Sequence, residues 1–387
     1  MPIEFRPKES PRSFGYHFLV GLQPSPRLTE HDKRLLDAVG PAGVVLFRDN
    51  FEQSAPYDQW LGSLRQLLQD AREYIGRREI FVCIDHEGGR VHRPPAPITQ
   101  LPPAGEWKER VGVMARAMGT ELRSLGVNID FAPVADVATK GGTEAIGNRA
   151  FGSCVNDVSD AVGTVVRVLA EEGVWACPKH YPGHGATTAD SHLELPYLNT
   201  TLEDLRRGHL QPFAAAVKAG AHCIMSAHIH FPNIDPIQPS TMSSILLQRL
   251  LRRELGFQGL LVTDDLGMHA VSEIFKDDEA VIKTLSASTD LLMVCAHWTD
   301  TNRVLSMSEG IIHSLHSGRL VEEALTESFE RVRTALESVP QHSVTFLSDS
   351  IRDEHQAFSW RQETKNGGLL DQEGAVTADP TARHENW

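Results

Sequence analysis

Eight short apolar runs recur along this chain of 387 residues, and they restrict the possible folds more than any other feature. They are YHFLVGL (16–22), GVVLF (43–47), EIFVCID (79–85), VNIDFAPV (127–134), VWACPKH (174–180), HCIMSAH (222–228), GLLVTDD (259–265) and DLLMVCA (290–296). Such nearly continuous apolar runs, rich in β-branched residues, suit strands covered on both faces. Longer segments with helical periodicity lie between them, for example YDQWLGSLRQLLQDAREYI, AVGTVVRVLAEEG, LRRGHLQPFAAAVKAG and SSILLQRLLRRELG. Several end in a glycine of the kind that closes a helix before the next strand. Strand and helix in strict alternation predict an α/β fold with parallel strands, and eight units close most simply as a single (β/α)8 TIM barrel. A doubly wound open sheet is the structural alternative. It would normally carry a glycine-rich dinucleotide turn after its first strand, and none stands there.

From about Ser343 the pattern stops, and IRDEHQAFSWRQETKNGGLLDQEGAVTADPTARHENW is polar with scattered aromatics. The expected organisation is an N-terminal extension over 1–13, a barrel domain over 14–342, and a C-terminal tail over 343–387. The tail is expected to fold partly against the barrel and to be disordered near its end. A formal charge of −14 argues against a nucleic-acid or anionic-membrane partner, both of which require clustered Lys and Arg. The five cysteines show no CxxC spacing, and four of them sit inside apolar runs, which reads as a reducing compartment. With no signal-type segment and no apolar run long enough for a bilayer, the expectation is a cytoplasmic protein acting on a small molecule.

In α/β barrels the chemistry sits where strands end and βα loops begin. Asp85, Asp136, Lys179, His180, His228, Asp264 and Asp265 all fall at such positions. The densest stretch is KHYPGHGATTADSH (179–192), which admits three readings. As a metal site it would use His180 and His184 with His228 and His230, but Lys179 would then place a cation beside a cation. As a phosphate loop, PGHG lacks the spacing of a Walker or dinucleotide motif, as does the EGGR of residues 87–90. As an acid/base device, Asp190 stands two residues before His192, close enough to accept its N–H and raise its basicity. Asp264 ends an apolar strand, where a carboxylate is costly unless it faces a site. Lys179, Arg93, Arg149, Asp85 and His180 would supply donors and acceptors to hydroxyl groups, the inventory of a sugar site. Among the neighbours, Asp136 reads as a buried support and Glu87 as a turn or support residue interacting with Arg90. His228 reads equally as pocket floor or as a satisfied core histidine, and Trp175 as barrel packing.

Taken in order, IDHEGGRVHR, GVNIDFAPVADV, IGNRAFG, CPKHYPGHGATTADSH, IMSAHIHFPNIDP and LRRELGFQGLLVTDDLGM resemble the glycoside hydrolase family 3 β-N-acetylhexosaminidases, specifically the single-domain NagZ type of bacterial cell-wall recycling. The resemblance spans about residues 14 to 340. It implies Asp264 as the nucleophile of a retaining glycosidase, His192 as general acid/base and Asp190 as the residue that orients it. Sugar-binding positions match Asp85, Arg93, Arg149, Lys179 and His180. The implied protein is a monomer that needs no metal or organic cofactor. It would remove terminal β-linked N-acetylglucosamine from carbohydrate substrates such as GlcNAc-1,6-anhydro-MurNAc, with or without peptide. A neutral His192 would not repel an anionic acceptor, so transfer to phosphate remains the alternative outcome, with a metal-dependent hydrolase or a non-catalytic sugar-binding barrel behind it. Tyr181, His86 and Thr263 depart from the residues frequent in the family, and none of these changes removes a reactive group.

Overall fold

Each of the eight apolar runs contains a strand. In the computed structural model, which describes residues 10–142, 145–187, 194–320 and 322–359, they are β1 (Phe18–Gly21), β2 (Gly43–Leu46), β3 (Phe81–Ile84), β4 (Ile129–Asp130), β5 (Trp175–Ala176), β6 (Cys223–Ser226), β7 (Leu260–Thr263) and β8 (Leu292–Cys295). All pairings between them are parallel. Six strands form one sheet in the order β5-β4-β3-β2-β1-β8, and β6 pairs with β7. Single parallel bridges join the two groups on both sides, Tyr181 to Ser226 and Val262 to Leu291. This order is sequential and lacks the reversal that marks a doubly wound sheet.

β4 and β5 are shorter than the sequence suggests because Pro133 and Pro178 interrupt them. Proline cannot donate to a ladder, and beyond the interruption pairing resumes only as a bridge from Val134 to Lys179.

The strands bury both faces. Leu19, Val45, Cys83, Ile129, Cys177, Met225, Val262 and Met293, one from each apolar run, join a single apolar cluster. Their neighbours, such as Val44, Val82 and Ile224, face the helices instead. The period of two that places alternate side chains on opposite faces therefore divides each run between an inner and an outer core. Cys83, Cys177, Cys223 and Cys295 are buried thiols in the inner cluster, while Cys154 is exposed.

The helices supply the outer layer. They are α1 (Glu30–Val39), α2 (Tyr57–Ile75), α3 (Val111–Ser124), α4 (Val155–Glu171), α5 (Leu202–Arg207), α6 (Gln211–Lys218), a π-helix over Ile245–Glu254, α7 (Asp278–Ser286), α8 (Arg303–His316), α9 (Glu322–Ser338) and α10 (Asp349–Gln356). α2 shows the local logic. Trp60, Leu61, Leu64, Leu67, Leu68, Ala71 and Ile75 bury one stripe, and Gly76, at φ 74, ends the helix in a left-handed conformation that favours glycine. The helical segment LRRGHLQPFAAAVKAG divides at Gly208, and Pro212 stands in the first turn of α6, where its missing N–H costs nothing.

Where β8 begins, buried Asp290 accepts from Arg252, Arg331, Ser328 and the Leu261 amide at 2.5–2.9 Å. This clamp joins β7, β8 and α9 at the strand ends opposite the site described next. No helix among the described residues is long and apolar enough to cross a membrane.

Candidate active site

The loops that follow the strands surround a cavity of about 260 Å³. Asp85 and Arg93 enter it from the loop after β3, Arg149 from the loop after β4, Lys179 and His180 from beyond β5, and Asp264 from the end of β7. Six of the eight site residues expected from sequence thus line one space. The other two, Asp190 and His192, lie outside the described residues.

Glu87 organises the polar wall. Its buried carboxylate receives Lys179 Nζ at 2.5 Å, Arg149 Nε at 2.7 Å and Arg149 Nη2 at 2.8 Å. Lys179 Nζ also reaches Asp85 Oδ1 at 2.6 Å, and Arg93 Nη2 lies 3.6 Å from Asp85 Oδ2. Burial alone would raise the Glu87 carboxyl, but Arg149 and Lys179 outweigh it and hold it far below the ordinary carboxylate range. Burial likewise opposes charge on Lys179 and Arg149, and here the carboxylates win, raising both. These groups therefore stay ionised with their side chains fixed by charge-assisted hydrogen bonds. A sugar hydroxyl meets donors and acceptors that need no reorientation.

His180 is held from behind. Its Nδ1 lies 2.7 Å from Asp136 Oδ2, and Asp136 Oδ1 accepts the His184 amide at 2.6 Å. Burial would raise Asp136, but His180 prevails and lowers it. Asp136 is thus the buried support that its sequence context suggests.

At the end of β7 two adjacent carboxyls have different surroundings. The Asp265 amide donates to Asp264 Oδ1 at 2.8 Å. Asp265 is buried, with Oδ1 facing the amides of Gly267 (2.9 Å) and Cys295 (3.3 Å), and burial pushes its acid up to about 7. Below that pH Asp265 remains largely neutral, so Asp264 does not share its position with a second anion.

Glu87 is a support residue, as one of its two sequence readings has it, but its partners are Arg149 and Lys179 in place of Arg90, whose Nη2 donates to Ala145 O at 2.7 Å. Sequence reasoning also passed over Phe47, His297 and Trp298, which line the cavity too. Phe47 and His297 stack with centroids 5.6 Å apart at 9°, and the Arg93 guanidinium lies 5.7 Å from the Phe47 ring. The signal was present, since Phe47 immediately follows β2 and His297 comes two residues after β8. The strand-end rule, applied to every strand, finds them.

Three of the four histidines of the metal reading, His228, His184 and His230, have partners of their own. His228 is buried between Thr241 Oγ1 at 2.6 Å and the Asp265 carbonyl at 3.1 Å, which makes it a core histidine. His184 Nδ1 meets Thr187 Oγ1 at 2.6 Å, and His230 Nε2 meets the Asp235 carbonyl at 3.1 Å. No group of three or more metal-ligating side chains converges among the described residues.

Residues 19–335 match the sequence family described as the glycosyl hydrolase family 3 N-terminal domain. The chain belongs to glycosyl hydrolase family 3. As a family 3 member it is a glycosidase, and its relatives are specific in kind. A beta-hexosaminidase of Idiomarina loihiensis is 34% identical over 277 residues, covering 69% of this chain and 80% of that protein. NagZ from Neisseria gonorrhoeae superposes with a TM-score of 0.72 at 28% identity, over 91% of this chain and 98% of the other. A family 3 beta-N-acetylglucosaminidase from Paenibacillus sp. gives a TM-score of 0.78 at 28% identity, over 89% of this chain and 67% of that one.

Proposed function

We propose that this family 3 glycosidase is a retaining β-N-acetylhexosaminidase of the NagZ type. It removes terminal non-reducing N-acetylglucosamine from peptidoglycan fragments such as GlcNAc-1,6-anhydro-MurNAc and its peptides. The observation that carries the proposal is the convergence of Asp264 with Asp85, Arg93, Arg149, Lys179 and His180 on one cavity. Asp264 attacks the anomeric carbon as the leaving oxygen is protonated, giving a covalent glycosyl-enzyme. Water then attacks the same carbon and restores the original configuration. His192, oriented by Asp190, gives the proton in the first step and removes one from water in the second. Asp85, Arg93, Arg149, Lys179 and His180 hold the sugar hydroxyls, and the Glu87 network keeps them in place.

The scaffold is a single (β/α)8 barrel over 14–342. Its support is the sequential strand order, the bridges from Tyr181 to Ser226 and from Val262 to Leu291, and the inner cluster fed by one face of every run. The enzyme works as a cytoplasmic monomer.

Turnover of a chromogenic N-acetyl-β-glucosaminide, followed by product analysis of a muropeptide digest with and without phosphate, tests the reading. Free N-acetylglucosamine with retained configuration is expected in both digests. Asp264→Asn should lower kcat by at least about a thousandfold without unfolding the protein. A folded wild type that binds the sugar without cleaving it overturns the proposal, and a sugar phosphate as product overturns water as the acceptor.

A further inference from the structure

The segment after α9 lies across the outer helices and ends beside the loop that carries the polar wall. The Val344 carbonyl accepts from Arg65 Nη2 at 3.1 Å, the Thr345 amide donates to Ser124 O at 2.8 Å, and the Leu347 amide donates to the Tyr57 hydroxyl at 3.0 Å. α10 follows, capped by the side chain of Ser348. Its last turn brings His355 Nδ1 to 2.8 Å from Glu121 Oε1.

Glu121, on α3, is 1% exposed. A carboxylate so buried requires donors, and none of those it receives comes from its own helix. Besides His355 it takes the Thr99 amide on Oε2 at 2.9 Å and the Thr99 hydroxyl on Oε1 at 2.8 Å. Thr99 belongs to the loop between β3 and α3. The next residue, Gln100, donates to Gly89 O at 2.9 Å, and the Gly89 amide donates to Leu101 O at 2.7 Å. Gly88 and Gly89 form the turn that carries Glu87 and Arg90. A Cβ on Gly88 would stand 2.5 Å from Pro102 O, so the segment 101–103 is pressed directly against the turn. A continuous hydrogen-bonded path thus joins His355 to the turn that places Glu87 against Lys179 and Arg149.

We propose that His355 and Glu121 are positioning residues. By this path the C-terminal segment tethers, through Thr99, the glycine turn that carries Glu87, and so holds the sugar-binding groups in register. The inference rests on the assignment of the cavity as the sugar site. It gives the segment beyond α9 a role in substrate affinity in addition to covering α2 and α3.

The test uses full-length His355→Leu, His355→Asn and Thr99→Val at a temperature where melting curves show all of them folded. Asparagine keeps a donor near the position of Nδ1, leucine keeps only bulk, and Thr99→Val weakens the same path at its next member by removing the hydroxyl contact while the backbone amide keeps its own. The readouts are KM and kcat on an activated aryl N-acetyl-β-glucosaminide, and amide hydrogen exchange of residues 87–101. His355→Leu and Thr99→Val should raise KM by about tenfold, with kcat changed by less than about twofold, and should accelerate exchange at Gly89 and Val91 by about tenfold. His355→Asn should restore both. A lowered melting temperature with KM and exchange unchanged would make the segment a structural latch and overturn the proposal. Should the wild type cleave no β-glycoside, the functional reading fails by itself, and the exchange arm still decides whether the tether exists.

Discussion

Glu87 offers the strongest test of how the polar wall is built. Its carboxylate has three charge-assisted contacts of 2.5–2.8 Å with Lys179 and Arg149, and its side chain is only 3% exposed. Glu87→Ala would leave two cations facing each other in a largely dry site, and removing one partner of such a buried pair costs about 3–5 kcal/mol. Glu87→Gln retains an acceptor and the shape, so roughly half that loss is expected. The pH dependence adds a check specific to the charge. The folded-state acid is depressed while the unfolded chain titrates near 4.5, so the ionic contribution is fully present above about pH 5 and declines as pH falls through the folded value. Between pH 5 and pH 3.5 that decline is about 1 kcal/mol. Urea denaturation of wild type and Glu87→Gln at several pH values measures both quantities. A gap below about 1 kcal/mol at pH 7, or one that stays constant down to pH 3.5, would refute a paired, ionised Glu87.

Other residues lend themselves to shorter tests. His192→Ala should slow substrates with poor leaving groups far more than activated aryl glycosides, because only the former need a proton in the transition state; equal loss on both removes His192 as the acid. Burial, reinforced by the nearby His180, pushes the His184 imidazole down to about 4. The unfolded chain takes up that proton near 6.5, so stability should fall by about 3 kcal/mol as pH drops from 6.5 to 4. His184→Asn should flatten this slope in denaturation curves, and an unchanged slope counts against a neutral, buried His184. Gly185→Ala would place a methyl 2.0 Å from Val137 O, and the resulting backbone shift should lower stability by about 2 kcal/mol or more, read as a drop in melting temperature. A variant as stable as wild type means that this approach is not tight.

Local signals account for what was legible in the sequence. A strand such as GVVLF declares itself by composition, α2 by its apolar stripe, and Asp264 by placing a charge at the end of an apolar run. The role of Glu87 is a different kind of fact, because its partner Arg149 stands 62 residues away and no spacing rule links them. The same holds for His355, whose partner Glu121 is 234 residues distant. α10 itself spans eight residues, too few for a periodic pattern to stand out from a polar tail. Asp190 and His192 remain known only from their sequence context.

β1 pairs on one side with β2 and on the other with β8, Leu19 opposite Met293. During synthesis these two edges are satisfied at very different times. β2 follows within a few tens of residues, whereas β8 lies near residue 292. At ribosomal speeds of about 5–20 residues per second, β1 waits roughly 15–55 s with one edge unpaired. FLVG is an apolar segment of the kind that recruits foreign strands when left open. The nascent chain is therefore most vulnerable to aggregation before β8 emerges, and translation slowed while β8 is unmade or still inside the ribosome should lower soluble yield more than the same delay after β8 has emerged.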